Sequence, residues 1–402
     1  MAHLHPFKAW RPDPRNVEEI ACVPYDVINV DEAGELAEGK PNSFLHVIRP
    51  EIDLPGGTDP YDDTVYEKGA ENLSGFLSGD ILHQEEEPCI YIYRLVWKER
   101  SQTGIFSCLS VQDYDDEVIL KHELTRPAKE DDRTRHIITQ QAHAEPVMIT
   151  FKDDQATRQL IDKTVEEAPL YDFQASDGVT HQLWKVEETA PFEDAFKHIP
   201  KLYIADGHHR CKSASRAAAE ERKKNNQHTG NEEYNFFPAV VFPMSDMHIM
   251  AYNRVIHDIP GHFLSQLQEK FDLASDAEPQ PSSKGNLSIY IEGKWYGLTL
   301  PQTENPNSVE ALDVHRLQEF VLAPMLDITD PRRDENISFV GGIRGTRELE
   351  QLVDDGKADM AVSMYPTQIE ELVRVSDEGL LMPPKSTWFE PKLRSGLLVH
   401  TF

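Results

Sequence analysis

The sequence predicts a mixed α/β protein (α/β, α+β), and three observations carry that prediction. From Val186 onward, apolar runs of strand length alternate with helical patterns: KLYIA (201–205), CKSASRAAAEERKK (211–224), FFPAVVFPM (236–244) and MHIMAYN (247–253). Ahead of them lies a β-rich block, in which CIYIYRLVW (89–97) and GIFSCLSV (104–111) flank the polar KERSQT and read as a hairpin. The chain of 402 residues is long enough for two or three domains. It can bury a core that needs no disulfide or metal staple.

Taken in order, residues 1–80 are rich in Pro, Asp and Gly and read as irregular, with short strands such as FLHVIR (44–49). Pro55-Gly56-Gly57 and Asp59-Pro60 mark turns. A helix is expected over 63–77, where Val65, Gly69, Leu73 and Leu77 share a face and Gly79-Asp80 stops it. KHELTRPAKEDDRTRH (121–136) is polar and should pass into a helix running through Ala142. PVMITF (146–151) reads as a strand, 155–167 as a helix and 192–196 as a short helix. After DGHHR, Cys211, Ala214 and Ala218 can line the buried face of a helix whose 220–224 end stays wet.

Residues 266–271 belong to a helix, and DAEPQPSSKGN (276–286) is a linker or long surface loop. A hairpin (287–300), a helix (312–322), a strand–glycine turn–helix unit in ISFVGGIRGTRELEQLV and a strand in DMAVSMY (359–365) follow. The tail LMPPKSTWFEPKLRSGLLVHTF reads as a loop and terminal strands. The expected organisation is a β-rich region at 1–185, a core at 186–275 and a C-terminal α/β region at 286–402. There is no internal repeat and no heptad seam.

Forty basic against seventy acidic side chains give a net charge of −30. Most of such a surface repels a phosphate backbone and an anionic bilayer, so neither nucleic acid nor membrane is an expected partner. A small basic pocket for one phosphate stays compatible with it. The N-terminus lacks a basic segment followed by an apolar core, so no secretory signal is expected. The longest uncharged stretch, 234–245, is too short to span a bilayer. Cys22, Cys89, Cys108 and Cys211 show no CxxC spacing and read as buried free thiols of a cytoplasmic protein. No HExxH occurs, which argues against a zinc hydrolase.

The sharpest local signal is Asp206-Gly207-His208-His209-Arg210, between an apolar strand and an alanine-rich helix. A helix start offers unpaired N–H groups and the positive end of the dipole. Gly207 removes side-chain bulk, Arg210 can fork onto phosphate oxygens, and the histidines can donate hydrogen bonds or take protons. Asp206 can act as a base or hold a metal ion; the plainer alternative makes it the N-cap of the helix. Neighbouring histidines rarely point at one ion. A second cluster, Lys121 to Arg126 with Lys129, Glu130, Asp131 and Arg133, mixes cations with carboxylates. A phosphoryl donor needs the cations, and a hydroxyl nucleophile needs a carboxylate; Glu123 is the candidate base. Gly341 to Thr346 reads better as a tight turn than as a phosphate cradle, because it lacks the lysine and spacing of a Walker loop. In MPPKST, Lys385 can meet a phosphate, or the stiff loop can simply pack Trp388 and Phe389.

The motifs PFKAWRP (6–12), VPYDVI (23–28), FLHVIRPE (44–51), HELT with KEDDR, IADGHHR, MPPKST and KLRSGL closely resemble those of the domain-of-unknown-function family ten-fifteen, over essentially the whole chain. That family resembles the ParB/sulfiredoxin superfamily, so the resemblance implies a ParB/sulfiredoxin-like core with large N- and C-terminal additions. The free serine kinases of that superfamily carry the same DGHHR. The resemblance implies a nucleotide-dependent phosphotransferase for a small hydroxyl compound, most plausibly free L-serine giving O-phosphoserine, with ATP or ADP as donor and Mg2+. It implies phosphate binding by Gly207, His208, His209 and Arg210; Arg133 and Lys385 are added as candidate phosphate contacts by their chemistry. It implies metal or proton work for Asp206, a candidate magnesium site; Glu123 and His208 are the other candidate catalytic residues. Those kinases use a glutamate upstream of the motif as base; here the spacing is longer, and Glu123 is chosen by position and chemistry. Sulfiredoxins carry a reactive cysteine where this chain has His208, which argues against sulfinic acid reduction. A ParB-like nucleotide-hydrolysing switch is the alternative, and an interaction protein that kept only the fold is a third reading. Homo-oligomerisation is compatible with all three.

Overall fold

In the computed structural model, which describes residues 2–402, the chain partitions into two units. The first takes the residues up to Lys121, then Thr125–Met247 and Pro391–Phe402; the second takes His122–Leu124 and His248–Glu390. These units cut across the segments 1–185, 186–275 and 286–402 read from the sequence. The last twelve residues return to the first unit, and the loop at 276–286 joins two strands of one sheet in the second.

The first unit is built on a nine-stranded sheet: β1 (Leu4–His5), β2 (Ile90–Trp97), β3 (Arg100–Ser110), β4 (Ile119–Leu120), β5 (Val147–Phe151), β6 (Tyr171–Gln174), β7 (Thr180–Val186), β8 (Leu202–Asp206) and β9 (Phe236–Pro243). The order is β4-β8-β5-β9-β3-β2-β7-β6, with β1 added on β3. The β4–β8 and β5–β9 neighbours are parallel and the others antiparallel. β2 and β3 form the expected hairpin, but its turn is only Lys98-Glu99, because SQT pairs within β3. Both faces of β5 are buried, which is why VMITF reads as a continuous apolar run rather than an alternation.

Three helices of this unit matter for the site: α1 (Asp63–Ser78), α2 (Pro127–Gln140) and α3 (His208–Lys224). α3 sets Cys211, Ala214 and Ala218 against the sheet core of Ile149, Ile204, Ala239 and Val241. Small side chains let the helix axis lie close over the strands, while Lys223 and Lys224 stay exposed. α2 packs along α3 and along α1. It stops at Gln140 rather than running through Ala142: Gln141 turns left-handed, and Ala142–His143 pair with His400–Thr401. FLHVIR corrects another expectation, since Leu45–Ile48 is one helical turn with Leu45, Val47 and Ile48 buried. A single turn has no period to read, so its apolar run resembles a strand.

In the second unit, β10 (Tyr252–Ile256), β11 (Leu273–Ser275), β12 (Asn286–Ile291), β13 (Lys294–Thr299), β14 (Ile337–Gly341) and β15 (Met360–Met364) form an antiparallel sheet. Its order is β11-β13-β12-β15-β10-β14. The strand, glycine turn and helix read at 337–353 appear as β14, a 3-10 turn at Gly342–Arg344 and α4 (Gly345–Asp354). The helix expected at 312–322 is α-helical over Asp313–Leu317 and π-helical over Gln318–Leu322. Among the described residues, no helix is long and apolar enough to cross a membrane.

Candidate functional site

DGHHR occupies a strand-to-helix junction, as its flanking patterns require. β8 buries Leu202, Tyr203 and Ile204, and its register on β5 slips between Ile204 and Asp206, so that Asp206 pairs with Met148. Such a bulge bends the strand and re-aims the side chain at its end. Gly207 follows with φ 101°, and α3 begins at His208 with no side chain capping it. A Cβ on Gly207 would lie 3.2 Å from Cζ and Nε of Arg210 and 3.3 Å from Cγ1 of Val147. Glycine is thus favoured twice, by the positive φ and by the close approach of the Arg210 guanidinium beneath the turn.

Asp206 is not the N-cap; its carboxylate meets cations. Lys392 Nζ donates to Oδ2 at 2.9 Å, and Arg210 Nη2 stands 3.8 Å from Oδ1. Burial by itself raises this carboxyl, but Lys392 and Arg210 outweigh it and hold Asp206 well below the usual range. Arg210 is buried, donating Nη1 to the Pro146 carbonyl and Nη2 to Asp26 Oδ2 at 3.4 Å. Desolvation opposes its charge, and Asp26, Asp206 and Glu145 restore it, leaving its pKa raised.

On the facing turn of α2, Arg133 is buried as well. Its Nε donates to Asp132 Oδ2 at 2.9 Å, its Nη1 lies 3.8 Å from Glu145 Oε2, and its guanidinium sits 4.1 Å above the Tyr25 ring. Glu145 accepts from the Tyr25 N–H at 3.2 Å and from Ser395 Oγ at 3.5 Å. Burial pushes its carboxyl up, only partly offset by Arg210 and Arg133. Arg133, Glu145 and Arg210 line one cavity of about 40 Å³, together with His136, Gln140 and His143.

His208 is buried and His209 half-buried. His209 Nε2 accepts the Arg126 backbone N–H at 3.0 Å, which ties the start of α2 to the first turn of α3. In its neutral form that ring therefore carries its proton on Nδ1. Glu123 and Lys385 belong to the second unit. Glu123 is half-buried beside His122, whose carbonyl accepts the Met382 N–H at 2.8 Å. Lys385 sits at a left-handed position, φ 58°, with Nζ 5.3 Å from the Tyr252 ring centroid. Its carbonyl accepts from Arg254 Nη2 at 3.0 Å.

The fold of the first unit thus gathers Asp206, Gly207, Arg210 and Arg133 around shared carboxylates. It adds four residues that the sequence did not single out as functional: Lys392, Asp26, Tyr25 and Glu145. Three of these sit inside quoted motifs, Lys392 in KLRSGL and Tyr25-Asp26 in VPYDVI. Glu145 carries no local signal, since a lone carboxylate before a strand looks like any solvated turn residue.

This arrangement defines a mixed α/β protein with a cation–carboxylate network under an uncapped helix start. Residues 4–315 match the family described as "Protein of unknown function (DUF1015)", and the chain belongs to that family. No curated protein matches it. Similar solved structures include SbnI with a C-terminal truncation from Staphylococcus aureus, 13% identical with a TM-score of 0.38, covering 72% of this chain and 85% of that one. A conserved hypothetical protein from Pyrococcus furiosus is 12% identical with a TM-score of 0.36, covering 73% and 92%. Free serine kinase in complex with AMP is 12% identical with a TM-score of 0.36, covering 71% and 86%. At these scores the likeness assigns no chemistry to this chain.

Proposed function

We propose that this protein is a nucleotide-dependent phosphotransferase acting on a small hydroxyl compound, with free L-serine the expected acceptor and ATP or ADP the donor. The observation that carries the reading is the junction at 206–210. It combines a seventeen-residue helix with no side-chain cap, a glycine at positive φ and an ionised aspartate fixed beside its first turn. The helix start offers N–H groups and a positive dipole end to phosphate oxygens.

Arg210 and Arg133 then act as the electrostatic floor of the site, since both guanidiniums are buried and bonded to carboxylates or a carbonyl. Their charge biases the site toward an anion without forking onto it. Asp206 is too firmly ionised to be an efficient base, because a carboxylate stabilised by two cations holds a proton poorly. It suits magnesium as a hard oxygen donor: Oδ2 is taken by Lys392, while Oδ1 lies beyond hydrogen-bond distance of Arg210. Magnesium bound with the phosphates would supply charge neutralisation there. Glu123 remains the candidate base for the acceptor hydroxyl, and His208 and Lys385 remain candidates for proton and phosphate contacts.

Phosphorus NMR of the purified protein with magnesium, L-serine and either nucleotide tests the reading. A phosphoserine signal, lost in Asp206→Asn, is the expected result. Nucleotide hydrolysis without phosphoserine would favour the ParB-like switch, and no change in either nucleotide would refute both. Glu123→Gln should spare nucleotide binding and lower turnover; a fully active variant would move the base elsewhere.

A further inference from the structure

The cavity beneath the junction has a use that the phosphate site does not exhaust. Its volume of about 40 Å³ admits two or three water molecules. Three buried nitrogens of residues lining it, His136 Nδ1, His143 Nε2 and Arg210 Nε, have no hydrogen bond from the protein's own groups. Buried polar atoms of this kind are costly unless water reaches them. The lining is therefore polar enough, and roomy enough, to be wet.

The charges linked through this region do not balance. Arg133 pairs with Asp132 and Glu145, Arg210 with Asp26 and Asp206, and Lys392 with Asp206. Among these pairs three cations face four carboxylates, so one proton balances them. Asp132 Oδ2 accepts from Arg133 Nε at 2.9 Å and lies 2.9 Å from its Nη2, Asp206 accepts Lys392 at 2.9 Å, and Asp26 is exposed to water. Glu145 is the carboxylate without a direct charge-assisted bond, since its nearest cation is 3.8 Å away. It is also the carboxylate on the cavity wall.

We propose that Glu145 is a proton site coupled to the phosphate position at the start of α3: when an anionic phosphate group binds there, Glu145 takes up one proton from solvent through the cavity. The inference rests on the phosphate reading given above. A further negative charge beside Arg210 draws on the cation that also faces Glu145, so the cluster relaxes by binding a proton. The other groups around Glu145 keep their charge. Burial holds His136 and His143 neutral and pushes the Tyr25 hydroxyl and the Cys22 thiol up. Arg133 and Arg210 stay protonated, and Asp206 stays ionised. By reciprocity, affinity for the phosphate ligand must rise as pH falls, by up to tenfold per pH unit for one linked proton.

Titration calorimetry of the whole protein with ADP and magnesium, in two buffers of different ionisation enthalpy, counts the proton directly. Net uptake by the wild type, with a smaller count and a flatter affinity–pH curve in Glu145→Gln, is the expected result. Difference infrared spectra of the unaltered protein read the same event without a variant, as a protonated-carboxyl band that grows on adding ADP. Equal proton counts in both proteins, or no such band, would overturn the inference while leaving the phosphate site standing. If the folded wild type binds no ADP, both fall together.

Discussion

Replacing Gly207 by alanine tests the junction at its tightest point. Two costs are expected. An L-residue held at φ 101° costs about 1–2 kcal/mol. The new Cβ would also stand 3.2 Å from Cζ and Nε of Arg210, and a shift of that guanidinium weakens its bonds to Pro146 and Asp26. Losing one bond of a charged group costs about 1.5–3 kcal/mol. The total comes to about 2.5–5 kcal/mol. Gly178 supplies the control, because its φ is +81° and nothing lies within 4 Å of a Cβ there, so Gly178→Ala should show the backbone cost alone. Hydrogen exchange in urea, read on peptides covering β8 and α3 for Gly207 and on β6 and β7 for Gly178, gives both values. Equal losses in the two variants would refute the close approach of Arg210.

Four further outcomes are expected. Arg210→Lys should destabilise the first unit by about 3 kcal/mol in urea unfolding, since one ammonium cannot serve Pro146, Asp26 and Asp206 at once; an unchanged midpoint would refute the shared role. Lys392→Met should change the acid limb of stability. The folded pKa of Asp206 is depressed, so its pairing contributes fully above the unfolded carboxyl value near about pH 4 and is lost as pH falls toward the folded value. Acid denaturation of the variant should accordingly be shallower below that pH; an unchanged slope would remove Lys392 from the pair. Glu233, held between His400 and His5, should titrate at about 2 by carboxyl NMR, because those two rings outweigh its burial. The thiols of Cys22, Cys89, Cys108 and Cys211 should react with a thiol reagent only on unfolding, because all four are buried and burial raises each, Cys211 to about 12.

The strand and helix around DGHHR were legible because each signal is local. KLYIA is an apolar run of strand length, and Cys211, Ala214 and Ala218 repeat at helical spacing. The glycine between them marks the turn, although the sequence suggested room for a phosphate where Arg210 in fact fills the space. FLHVIR reads as a strand because a single helical turn with Leu45, Val47 and Ile48 buried shows no helical period. The unit boundaries were unreadable for a different reason. Composition marks the polar loop at 276–286, but a polar loop inside a sheet has the same composition as a linker between domains.

By itself, then, the sequence determined the α/β class, the family membership carried by dispersed motifs, and the placing of a glycine-led helix start after β8. These depend on periodicity, turn chemistry and residue identity, all written within a few neighbouring positions. Only the tertiary structure decided what Asp206 and Arg210 touch. Lys392 reaches Asp206 from 186 positions away, Asp26 meets Arg210 across 184, and Glu145 lines one cavity with Arg210. Coulomb energy falls with distance in space and with solvent exposure, not with separation along the chain. The charge state of the site was therefore fixed by packing and could not be read from the motif.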